Sequence, residues 1–313
     1  MVRIGIDVGG TKAAYGLFDE DNRLLDRRQH LVPVDTDGPG LSEILLGNIL
    51  SILRENGVDH SRVEGIGIGM PSFILYDRGY VYMTSALVNV RDFAMRDWFR
   101  ERLDIPVAVD KDSNASAVAE HRYGAGRGAR NMVYTTVGTG LGSGLIINGE
   151  LFHGSYGWAV ETGHMLITPD QGLECGCRNR GCFMSYASGR YLPDHMKRLG
   201  AGMKTEIDLT GDLNGYVLKQ GLDAGDPLAE ATADQLARYI GILTVNLYLA
   251  LNINLFVFGG GLVNLGNVLF DRVRAVFDRY NHVDMPVEFK FAELKQDYGI
   301  IGAAEFVRDL PKP

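Results

Sequence analysis

Cysteine is scarce in this chain: three residues in 313, all of them between positions 175 and 182. So few cannot staple a secreted domain, and an odd, clustered set points instead to metal ligation. Runs of lysine or arginine are missing as well. With 39 acidic against 31 basic residues the formal net charge is −8, which makes nucleic acid and anionic membrane poor partners. No charged-then-apolar leader is present, since Met1-Val2-Arg3 runs directly into Ile4-Gly5-Ile6-Asp7, and a cytoplasmic protein is expected. One long uncharged run exists, residues 240–258, but Asn246, Asn252 and Asn254 interrupt it and Gly259-Gly260-Gly261 ends it. A buried helix leading into a core strand fits that pattern better than a membrane span.

What is present is ordinary globular material, 46% hydrophobic and 22% charged, in a chain long enough for two domains. Near the N-terminus two apolar stretches flank Gly9-Gly10, which predicts a hairpin, and a third strand should follow Asp19 to Asn22. A helix is expected over 42–56, strands over 63–69 and 105–109, and an alanine-rich helix over 113–123. A similar order restarts at Asn131, with a strand over 132–137, a glycine turn at 138–142 and a strand over 144–147. Asp226-Pro227 reads as an N-cap followed by proline at the first helical position, opening a helix to about 251 before a strand at 255–258. The two halves share a plan, which predicts two α/β layered lobes with a cleft between them.

Three glycine motifs carry the chemistry. The first is Asp7-Val8-Gly9-Gly10-Thr11-Lys12, where a glycine turn lets backbone N–H groups and the Thr11 hydroxyl approach a phosphate. Asp7 could hold Mg²⁺ through water, because that ion keeps several waters beside one or two carboxylates. A plain hairpin turn accounts for the same residues. The second is Gly138-Thr139-Gly140-Leu141-Gly142, and the third is Gly259-Gly260-Gly261. Neither a Walker loop nor a dinucleotide fingerprint is formed, because the second motif leads into another strand and not a helix. Asp112, after an apolar strand, suits a base for a hydroxyl attacking a γ-phosphate, and equally suits a helix cap. His164, Cys175, Cys177 and Cys182 offer the four nitrogen and sulfur ligands that a closed tetrahedral Zn²⁺ site takes, with three buried reduced cysteines as the plain alternative.

These motifs, taken in order, resemble the ROK family of bacterial sugar kinases and related repressors, nearly end to end. The resemblance implies two ribonuclease-H-like lobes of the actin and hexokinase type. It suggests an N-terminal lobe of 1–117 plus 295–313 and a C-terminal lobe of 118–294. ATP with Mg²⁺ would meet a sugar between them, and a homodimer is common. Asp7, Gly9, Gly10, Thr11, Lys12, Gly138, Thr139, Gly140 and Gly259 to Gly261 would serve the nucleotide. Asp112 would be the base, in Val109-Asp110-Lys111-Asp112-Ser113-Asn114-Ala115, similar to the family's V-x-N-D-x-N-A. The zinc site would be structural and would hold the loop carrying Glu161 and His164 against the sugar. A repressor of this family would carry a DNA reader ahead of the first strand, where this chain has none.

The sugar pocket departs from the family pattern. Lys111 replaces the asparagine before the catalytic aspartate, and Ala86 falls where P-N-L has its asparagine. Met184 takes the place of the glutamate in G-C-L-E, and Ser72-Phe73 ends what is usually G-x-P-G-P. Losing a hydroxyl partner removes about 1–3 kcal/mol of discrimination, so glucose is not the expected acceptor. An allose-like sugar, a keto-sugar or a cyclitol is expected instead, contacted by Ser72, Ala86, Lys111, Asp112, Glu161, His164 and Met184. A non-catalytic sugar sensor is the alternative from another class.

Overall fold

The computed structural model describes residues 1–310. The expected hairpin is formed by β1 (Val2–Val8) and β2 (Lys12–Phe18), and β3 (Leu24–Leu31) pairs antiparallel with β2. Helix α1 (Gly38–Glu55) starts four residues before the sequence-based expectation. Asp37 causes this: its carboxylate accepts the N–H of Gly40 at 2.8 Å, and Pro39 fits the first turn. Strand β4 (Val63–Met70) lies parallel to β1. An unforeseen excursion follows, in which β5 (Ser72–Leu75), β6 (Tyr80–Thr84) and β7 (Arg91–Phe93) make a small antiparallel sheet. Short α2 (Met95–Arg100) leads to β8 (Val107–Lys111), parallel to β4, and then to α3 (Asp112–Tyr123). Strand β8 begins beyond Pro106, which has no N–H for the ladder.

The second half contains β9 (Met132–Val137), β10 (Leu141–Ile147) and β11 (Glu150–Leu151). Helices α4 (Met184–Ala187), α5 (Leu192–Gly200), α6 (Gly215–Asp223) and α7 (Pro227–Leu251) come next. The chain then forms β12 (Leu255–Gly259), α8 (Asn267–Tyr280), β13 (Glu288–Phe291) and α9 (Tyr298–Phe306). The first sheet has the order β3-β2-β1-β4-β8, and the second β11-β10-β9-β12-β13. Three sequential strands followed by two parallel additions recur in both, so the chain has the α/β fold of two ribonuclease-H-like sheets. Asp226 caps α7 as expected, accepting from the N–H groups of Leu228 and Ala229. Asn252 ends that helix in the left-handed conformation, and the uncharged run resolves into helix and strand. Among the described residues no helix is long and apolar enough to cross a membrane.

Two compact units result. One comprises Met1–Arg130, Gly144–Val160 and the segment from Ala292, and the other Asn131–Ser143 and Glu161–Phe291. A boundary after residue 117 would cut α3, which packs against α9 as one piece within the first unit. In that unit β1 and β4 read Ile-Gly-Ile, and the alternation sorts the two faces. Ile4, Ile6, Ile66 and Ile68 join a large core with Leu41, Leu45 and Ile49 of α1. The glycines face the other way and admit α9 to close range. A Cβ on Gly67 would fall on the Ala303 carbonyl, and one on Gly5 on that of Ile300.

This contact makes a paired prediction. Gly67→Ala should cost about 3 kcal/mol because backbone cannot move aside. Gly47→Ala, on α1 with nothing within 4 Å of the new methyl, should instead add up to about 1 kcal/mol. Urea unfolding of both variants checks this, and equal effects would refute the packing of α9.

Candidate active site

In the first unit the tip of the β1–β2 hairpin is closed by the Gly9 N–H donating to the Lys12 carbonyl at 2.8 Å. Thr11 and Lys12 are exposed there. Gly10 lies against Ala86, since a Cβ on Gly10 would sit 3.2 Å from that of Ala86. Asp7 is in register with Gly69 of β4, and Gly69 with Asp110 of β8. Asp112 follows two residues later as the first residue of α3. Its carboxylate accepts the N–H of Ser113 at 2.6 Å. The cap position belongs to Lys111, whose side chain makes no cap bond, and Asp112 opens the first turn.

Asp7 keeps a little accessible surface but is deeply enclosed, and its carboxylate lies over Gly299 of α9. Burial, and secondarily the charge of Asp112, push its pKa up to about 7. Tyr298 is raised as well, by burial and then by Asp7 and Asp112. A divalent cation is the natural relief for such a pair of carboxylates, and the donor chemistry fits Mg²⁺.

Other first-unit positions are engaged more locally. Lys111 is buried, and its Nζ donates to the Ala159 carbonyl at 3.0 Å. Ser72 is buried, and its hydroxyl donates to the Met70 carbonyl at 3.2 Å. Beside them Asp110, fully buried, accepts from Lys111 N, from Asn114 Nδ2 and from Nε2 of His153. Sequence reasoning passed over Asp110 and His153, although Asp110 lies only two residues before the expected base.

In the second unit the two remaining glycine motifs meet. A Cβ on Gly138 would approach the Gly261 nitrogen to 3.3 Å, and Gly260 needs φ of 86°. The Gly138 carbonyl accepts the N–H of Gly189, and that of Thr139 accepts the N–H of Arg190. Gly138, Thr139 and Gly261 line a cavity of about 540 Å³ together with Arg190, Asn214 and Lys219. A cavity of that size matches a drug-sized or nucleotide ligand. Arg190 lies in a short turn, while Asn214 caps α6 and Lys219 lies within it, and none of the three belongs to a motif. Only Asn214-Gly215, a cap and helix start, gave a signal that could have pointed there.

Glu161 precedes a short turn, Thr162 to His164. Beneath it the Thr162 hydroxyl bonds that of Ser143, which bonds Thr135, in a fully buried chain of 2.8 and 3.0 Å. Val160, where the family pattern has glycine, holds φ of 52°, a strained setting for a β-branched residue. Met184 packs its methyl near Gly140 and Gly163, and its sulfur accepts the Leu141 N–H at 3.2 Å. The ligand atoms of His164, Cys175, Cys177 and Cys182 all lie within 4.8 Å of one another. Two of the separations are 3.6 Å, Cys177 to Cys182, and 3.8 Å, Cys175 to His164 Nδ1. The edges of a zinc tetrahedron with such ligands are about 3.6–3.8 Å, so the cluster is compatible with structural zinc.

The ROK family profile matches residues 3–310. The chain belongs to the ROK family. Among relatives of this ROK protein, the glucokinase of Halalkalibacterium halodurans is 32% identical, over 97% of this chain and 94% of its own length. The glucokinase of Streptomyces coelicolor is 33% identical, over 99% and 98%. A solved ROK family glucokinase from Streptomyces griseus, in complex with glucose and AMPPNP, superposes with a TM-score of 0.83 at 31% identity. That match covers 99% of this chain and all of the other.

The buried carboxyl of Asp7 gives a pH-dependent prediction. Its folded pKa exceeds the unfolded value, so it binds its proton more tightly when folded. The resulting penalty is absent below about pH 4, grows as pH rises and is complete above about pH 7. Asp7→Asn, assayed without divalent cations, should therefore raise stability at pH 8 by about 2–4 kcal/mol and hardly change it at pH 4. Equal shifts at the two pH values would contradict the assignment.

Proposed function

We propose that this protein is an ATP-dependent carbohydrate kinase with Asp112 as the base. The observation that carries this is the pairing of Asp112 with the charge-strained Asp7 at the ends of two strands of one sheet. Glycine loops lining a nucleotide-sized cavity support it, as do relatives named glucokinase along nearly their whole length.

The acceptor hydroxyl is oriented by the Asp112 carboxylate, which takes its proton as the oxygen attacks the γ-phosphorus. The bond to the β–γ bridging oxygen breaks and ADP leaves. Asp7 would hold Mg²⁺, which would supply neutralisation of charge on the transferring phosphoryl group. Thr11, Lys12 and the N–H groups of Gly9 and Gly10 receive the β- and γ-phosphates. Gly138 to Gly140 and Gly259 to Gly261 leave room for the nucleotide. Glu161 and His164 bind sugar hydroxyls. His164 Nδ1 also faces Cys175, which suits Zn²⁺ fixing that turn, with Cys177 and Cys182 completing the set.

The acceptor is a hexose-like carbohydrate other than free glucose. The names of the relatives weigh toward an aldohexose, while Ala86 and Met184 remove hydroxyl partners. Met184 spends its sulfur on the Leu141 N–H, and the Lys111 ammonium is turned to Ala159. An allose-like sugar, keto-sugar or cyclitol fits this altered set. The same losses motivate a second reading, a non-catalytic sugar sensor, which leaves the retention of Asp7 and Asp112 unexplained. A cytoplasmic homodimer completes the proposal.

Two outcomes are expected. Asp112→Asn should lower kcat/KM for phosphoryl transfer at least about 10³-fold, with unchanged melting temperature and ATP affinity; undiminished ADP formation removes Asp112 from the chemistry. Metal analysis should find one zinc per chain, lost in Cys182→Ser together with thermal stability. A metal-free protein as stable as the purified one contradicts the zinc assignment.

A further inference from the structure

The loop from His153 to Val160 is held to the catalytic strand at both ends. At one end Nε2 of His153 bonds Oδ2 of Asp110 at 2.7 Å, and the imidazole stacks on Tyr76 with centroids 3.6 Å apart. At the other, Lys111 Nζ donates to the Ala159 carbonyl. Asp110 and Lys111 are the two residues before Asp112. Between these anchors Gly157 lies so close to β5 that a Cβ would strike the Ile74 carbonyl, and Tyr76 N donates to the Tyr156 carbonyl at 3.3 Å.

This doubly anchored loop displays aromatic rings. Tyr156 and Trp158 stack at 5.3 Å and 21°, and Phe73 of β5 meets Trp158 edge-on at 5.8 Å. Phe73 is paired across the sheet with Met83 of β6, so both side chains share one face. Tyr156 is 64% exposed and Met83 40%. Rigid aromatic rings anchored at this many points are not an ordinary loop surface, because exposed tyrosine and tryptophan supply contact area at small entropic cost. Ala159, next to Trp158 in the chain, accepts from Lys111 one residue before Asp112, and Ser72 precedes Phe73.

We infer that the Tyr156–Trp158–Phe73 surface is a subsite for a second pyranose ring, so that the acceptor is a disaccharide or glycoside. This rests on the kinase reading for the site beside it. The apolar C–H face of the outer ring lies on the aromatic rings, while the inner ring presents its hydroxyl to Asp112. Removal of hydroxyl partners at Ala86 and Met184 is then offset by stacking on the outer unit.

The chain has two tryptophans, and Trp98 sits under the Arg102 guanidinium. In a Trp98→Phe background the emission of Trp158 reports directly on the subsite. The probes are gluco-, galacto-, manno- and xylo-configured disaccharides and their component monosaccharides, with ADP release measured in parallel. At least one disaccharide should shift Trp158 emission and bind about tenfold more tightly than its monosaccharide. Tyr156→Ala, at an exposed position, should erase that gain and leave monosaccharide binding as it was. If monosaccharides are phosphorylated but no disaccharide shifts the emission or gains affinity, the subsite is overturned and the kinase reading stands. Disaccharide binding with no phosphoryl transfer to any probe keeps the subsite and overturns the kinase reading.

Discussion

Two carboxylates that ought not to be close govern this structure. Asp7 and Asp112 stand at the carboxyl ends of β1 and β8 with one strand between them, and the first is held near neutrality by burial and by the second. Such a pair is costly without a cation. The fold sustains it through packing: Ile-Gly alternation in β1 and β4 gives one face to a large aliphatic core and the other to α9 at very short range. Asp7 lies directly on that helix at Gly299. The glycines that read as turn-formers and spacers thus include several whose task is to let a helix support an unfavourable charge. A pair of carboxylates strained in this way is relieved by a divalent cation, and its donor chemistry fits Mg²⁺.

Much of this was legible in the sequence. Strands flanking Gly9-Gly10, the restart at Asn131 and the cap at Asp226 were readable because period and turn chemistry agree over several residues. The cluster of His164, Cys175, Cys177 and Cys182 was readable from spacing, and its ligand atoms converge as a zinc site requires. The β5–β7 sheet was not, since its strands are four, five and three residues long and carry little periodicity. The start of α1 was misplaced because Asp37-Gly38-Pro39 looks like loop until its cap geometry is seen.

Side-chain commitments were the least legible part. Lys111 read as a cation placed toward substrate, whereas its ammonium spans to a carbonyl 48 residues away. Met184 read as a lost glutamate, yet its sulfur holds the N–H of Leu141. Asp110 and His153 gave no signal at all, because a buried acid and a loop histidine 43 residues apart become a pair only in the fold. Arg190, Asn214 and Lys219 reached the nucleotide-sized cavity the same way. The bonds of Asp110 to His153 and of Lys111 to Ala159 couple the loop 153–160 to the strand that precedes Asp112.

The central claim is that this ROK protein transfers a phosphoryl group from ATP to a carbohydrate hydroxyl. Phosphorus NMR of purified enzyme with Mg-ATP and mixed aldohexoses, ketohexoses, cyclitols and disaccharides tests it most directly. The account predicts a new phosphate monoester resonance appearing in step with ADP. Sugar binding with ATP left intact across the whole mixture would contradict it.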